Sequence, residues 1–81
     1  MADSLKEHIE NREAVKRLIR KGVTDVCSMG NNIFPSICRY GSRSVLDQEN
    51  IIEKIFGLMT DETSPMSIDV AFSTVDNSYN E

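Results

Sequence analysis

Eighty-one residues, 40% of them hydrophobic and 27% charged, describe one small domain of ordinary globular composition and exclude a multidomain enzyme. A chain of this length buries only about 60 to 65% of the surface its unfolded form exposes. A partner or a self-association surface is therefore expected to support it. The net charge of −4 is unevenly distributed: residues 1–43 hold eight basic side chains against five acidic ones, while residues 44–81 hold one against eight. Such polarity suggests a basic face for an acidic partner. No run of about 18 apolar residues offers a bilayer span, and the opening residues are polar where a secretory signal would be apolar. The expectation is a cytoplasmic chain without membrane insertion.

The first element is marked by Ser4 and Glu7, which have the spacing of a capping box. Leu5, Ile9, Val15, Leu18 and Ile19 follow on one broad side of a 3.6-residue helix. Gly22 is the expected stop, so the reading is a helix over about residues 5–21. Lys16, Arg17, Arg20 and Lys21 would then sit in its last turns, where cations suit the helix dipole. Glu13 and Arg17 add an i,i+4 pair. His8, at the edge of the apolar stripe, is read as a solvated or core-capping side chain.

Between Val23 and Ser44, turn signals at Gly30-Asn31-Asn32 and Gly41-Ser42 frame two short apolar pieces. Thr24 is a candidate cap for a helix ending near Met29. Pro35 suits the first position of another ending near Tyr40. The alternative is a β-hairpin over 23–40, which Pro35 opposes. Next, Ser44 with Asp47 has the look of a cap, and Ile51, Ile52, Ile55, Phe56, Leu58 and Met59 share one wide face. This helix and the first are the expected core pair, with Leu18 and Ile55 among the buried residues.

In the last segment, Ile68, Ala71, Phe72, Val75 and Tyr79 fit a helical stripe, with Ser64 as cap and Pro65 at the first helical position. The alternation of Met66, Ile68, Val70 and Phe72 keeps a strand as the alternative. Residues 76–81 read as a frayed polar end. The fold expected is mostly α, a compact single-domain bundle of about four to five short helices. Residues 1–63 would form its core and 64–81 a C-terminal segment. The alternative is α+β, with a C-terminal strand and the hairpin at 23–40.

Chemistry is sparsely represented. Cys27 and Cys38 are too far apart for a C-x-x-C motif, and a single histidine cannot complete a typical zinc shell. In a cytoplasmic chain the two thiols are expected to be free and reduced. No glycine-rich phosphate loop precedes a helix with the required lysine. No catalytic residue, cofactor or metal site is expected, and the reading is a protein that is not an enzyme.

What remains is a small regulatory protein that binds another protein, in the manner of an inhibitor, adaptor or antagonist. Its size and style suit a bacterial or bacteriophage origin. Arg17, Arg20, Arg39, Arg43, Phe72 and Tyr79 are the candidate partner-binding residues, the aromatic ones because such anchors concentrate interface energy. A homodimer is a further option. The rival reading is a helix-turn-helix DNA binder built from residues 24–43, with Arg39 and Arg43 facing phosphate or bases. The acidic second half of the chain argues against it.

Overall fold

The computed structural model describes residues 2–28 and 33–79, with side chains from Asn11 onward. Four helices form: α1 over Ala2–Ser28, α2 over Pro35–Gly41, α3 over Val45–Met59 and α4 over Ile68–Ser78. No strand is present among the described residues, so the bundle is realised and the hairpin and terminal-strand alternatives are not.

Helix α1 begins ahead of Ser4 and runs past Gly22. The side chains of Ser4, Leu5, Glu7, His8 and Ile9 lie outside the described residues. The helix continues beyond Gly22 because the core stripe does: Ile19 and Val23 are buried and Val26 packs on the same cluster, at the i, i+4, i+7 spacing of one face. Gly22 also has a packing role. A Cβ built there would stand 3.1 Å from Cζ of Phe72, so the missing side chain lets the α4 ring approach the α1 backbone. That contact offsets the helix-propensity cost of an interior glycine. Residues 24–28 of the expected independent helix are thus the end of α1, Met29 lies outside the described residues, and Lys16 to Lys21 lie in mid-helix.

Helix α2 starts at Pro35 as its sequence implies, but Phe34 makes no side-chain cap. In α3, the hydroxyl of Ser44 accepts from the Asp47 N–H at 3.0 Å, and Ile51, Ile52, Ile55 and Phe56 are buried. In α4 the cap is Ser67, whose hydroxyl accepts from the Val70 N–H at 3.4 Å. Ser64 and Pro65 precede the helix. The carboxylate of Asp61 accepts from the N–H groups of Thr63 and Ser64, which folds that stretch into a local turn. The Met66 N–H donates to the Leu58 carbonyl at 3.0 Å and ties the loop back to α3.

Arg20 with Glu49 and Lys16 with Glu53 run in opposite sequence directions, so α1 and α3 are antiparallel. The short α2 contacts α1, α3 and α4. The core combines Ile19 and Val23 of α1, Ile37 of α2, four residues of α3, and Ala71, Phe72 and Val75 of α4. The C-terminal helix is accordingly part of the packed interior. Asp76, expected in a frayed end, is buried inside α4. Leu18, expected in the core, is 62% exposed. It sits roughly a quarter turn from the centre of the Val15, Ile19, Val23, Val26 stripe at about 100° per residue.

Cys27 and Cys38 form a disulfide between the end of α1 and α2, with Cα atoms 5.4 Å apart. The expectation of free thiols is corrected on this point. It rested on an assumed reducing compartment, while the extension of α1 through Ser28 is what brings Cys27 beside α2.

Candidate interaction surface

The six candidate residues fall into different environments. Phe72 is 4% exposed, with its ring 5.5 Å from that of Phe34 and against Gly22. It is a core residue and presents no surface to a partner. Tyr79 is half-buried and stacked on Tyr40, with ring centroids 4.8 Å apart. Its hydroxyl accepts from Lys54 at 2.8 Å. A division into a core over residues 1–63 and a C-terminal segment makes both aromatic residues candidate anchors, whereas Phe72 lies in the core cluster and Tyr79 packs against it.

Among the arginines, Arg20 Nη2 lies 2.7 Å from Glu49 Oε1. Arg43 is 3.9 Å from Asp47 and its guanidinium lies over the Tyr40 ring at 5.4 Å. Arg39 is exposed near the end of α2. Residues 24–28 belong to α1, so 24–43 does not form the pair of short helices that the helix-turn-helix reading required. On the inner flank of α1, Lys16 pairs with Glu53. Lys16 and Arg12 also lie over the Phe56 ring, at 5.2 and 5.6 Å. Cations in these places are engaged by α3 and cover an aromatic face.

Arg17 stands apart. With Ala14, Leu18 and Lys21 it forms a contiguous patch, since residues three and four apart are neighbours on a helix. All four are exposed. Neither Arg17 nor Lys21 makes an ion pair among the described residues. The patch therefore presents one large aliphatic side chain beside two cations on the flank of α1 away from Glu49 and Glu53. Sequence reasoning reached Arg17 but assigned Leu18 to the interior. The signal that separates them is the continuation of the stripe to Val23 and Val26, which swings the core-facing direction away from Leu18.

Among the described residues no group of three or more histidine, cysteine, aspartate or glutamate side chains is arranged to hold a metal ion. Among the described residues no helix is long and apolar enough to cross a membrane. No family model, no curated protein and no solved structure matches the chain.

Proposed function

We propose that this is a small non-enzymatic regulatory protein that acts by binding another protein, as an inhibitor, adaptor or antagonist, through the outer face of α1. The observation that carries this reading is the exposed Leu18 with Lys21 and Arg17 on one side of it. Burying a leucine that is mostly open to solvent contributes on the order of 1 to 2 kcal/mol. Two cations with no ion pair among the described residues are placed to steer an acidic surface and fix its register. The partner implied has an apolar pocket bordered by carboxylates. The internal pairing of Lys16 and Arg20 narrows the basic face of α1 to this patch. Tyr79 and Arg39 are not required by this surface.

The test is affinity capture from the cognate cell extract with the wild-type chain, Leu18→Glu, and the Arg17→Glu/Lys21→Glu double variant. All three positions are exposed, so each variant should melt within a few degrees of wild type. A discrete protein retained by wild type and lost with both variants is the expected outcome. Equal retention by all three would remove this face from the interaction. Binding of a DNA duplex that weakens steeply with salt and drops on Arg39→Ala would favour the nucleic-acid reading instead.

The disulfide bears on where such a protein would work. Persistent disulfides belong mostly to oxidising compartments. A cytoplasmic site of action requires that the protein function with Cys27 and Cys38 reduced.

A further inference from the structure

We propose that the Cys27–Cys38 bond is a reducible clip that holds the last turn of α1 against α2, so that thiol redox state sets whether residues 24–28 are docked. Past Val23, only Val26 packs against the core; Thr24, Asp25, Cys27 and Ser28 are exposed. The final turn of α1 contains no basic residue. It holds Asp25 instead, an acid at the negative end of the helix dipole. Val26 and the covalent link are what hold this turn against the rest of the bundle.

The rest of the bundle has its own restraints. Ile37 is buried, its N–H donates to Asp76 at 2.9 Å, and Phe34 lies against Phe72. Helix α2 therefore stays in place when the bond opens, and the free end is that of α1. The two sulfurs also border an open groove of about 350 Å³ lined in part by Val23, Gly41 and Gln48. Release of residues 24–28 removes one wall of that groove and uncovers Val23.

Cys27 is the more exposed residue of the pair, with Cys38 half-buried, and exchange is assigned to its sulfur. A thiolate of a dithiol reductant attacks Cys27 Sγ, the S–S bond breaks, and Cys38 leaves as a thiolate that takes up a proton. The reductant's second thiol, as its thiolate, then attacks the mixed disulfide. Cys27 is released as a thiolate that is protonated in turn. The protein gains two thiols and the dithiol becomes a disulfide.

The full chain is compared in oxidising buffer and after reduction with dithiothreitol, using thiol titration, circular dichroism and hydrogen exchange. The expected result is two thiols appearing only on reduction, with helical signal retained. The amides of residues 24–28 should exchange at least about tenfold faster, while those of 51–56 in α3 keep their rates. Comparable acceleration throughout would mean that the bond is a global staple, and unchanged exchange at 24–28 would mean that the turn is held by other contacts. Two thiols titrating before reduction would show that the bond does not form. Any of these overturns the clip. The Cys27→Ser/Cys38→Ser variant should reproduce the reduced pattern without reductant; failure of that variant to fold also overturns it, because the core is required to stand without the bond.

Discussion

Asp76 and Ile37, 39 positions apart, are joined by a hydrogen bond: the Asp76 carboxylate in α4 accepts from the Ile37 N–H at 2.9 Å, in a buried setting. Helix α2 has no cap of its own, since Phe34 supplies no side-chain acceptor. The first N–H groups of a helix lack partners within it, and here a carboxylate from another helix serves one of them. The same bond fastens α2 to the C-terminal helix. Asp76→Ala should cost about 1 to 3 kcal/mol, the penalty for leaving a buried donor unsatisfied. Asp76→Asn keeps an oxygen acceptor and should recover a large part of that loss. Urea denaturation of the two variants checks this, and an alanine variant as stable as wild type would show that the bond contributes nothing.

The two interior glycines should respond oppositely to alanine. At Gly57 nothing lies within 4 Å of a built Cβ, so Gly57→Ala should stabilise the protein by about 0.5 to 1 kcal/mol through helix propensity. At Gly22 the same methyl meets the Phe72 ring, which is itself buried. Gly22→Ala should therefore fall at least about 1 kcal/mol short of Gly57→Ala, overpacking having cancelled the propensity gain. Denaturant midpoints of the pair read this difference directly.

Ile55 and Leu18 separate the core from its flank. Ile55 is fully buried and Leu18 is not. Ile55→Ala should cost about 2 to 4 kcal/mol, whereas Leu18→Ala should stay within about 0.5 kcal/mol of wild type. Thermal melts decide it, and a large loss at Leu18 would mean that α1 packs in a different rotation.

The start of α4 can be located by its cap. Ser67→Ala should cost about 1 kcal/mol, as should Ser44→Ala at the start of α3, because each hydroxyl accepts from an otherwise unpaired N–H. Ser64→Ala should be nearly neutral. The reverse ranking of Ser64 and Ser67 would place the helix start at Pro65.

Much of the fold is legible in local pattern. Periodicity marks α3 and its buried face, Ser44 marks the start of that helix, and Pro35 marks the start of α2, because capping and the proline ring act within a few residues of their own position. The helical stripe over 65–75 favours helix over strand, and α4 does bury it at Ala71, Phe72 and Val75. The same local logic misplaced two boundaries. Gly22 reads as a stop and Ser64-Pro65 as a start because both suit those roles in isolation. The approach of Phe72 to Gly22 and the Asp61 turn ahead of Ser67 depend on neighbours that local pattern does not reveal.

The candidate surface and the two cross-links lie further from what sequence determines. Composition alone establishes the basic first half and acidic second half, and local pattern makes α1 and α3 amphipathic. Only packing decides that Lys16 and Arg20 are matched by Glu53 and Glu49 while Arg17 and Lys21 remain open, since that depends on which flank of α1 α3 covers. The rotation of α1 that buries Ile19 also turns Leu18 outward, although the two are adjacent and both aliphatic. Asp76 on Ile37 and Cys27 on Cys38 are tertiary for the same reason. Each joins positions brought together by the mutual burial of four helices, and no rule acting within one helix turn can see across that distance.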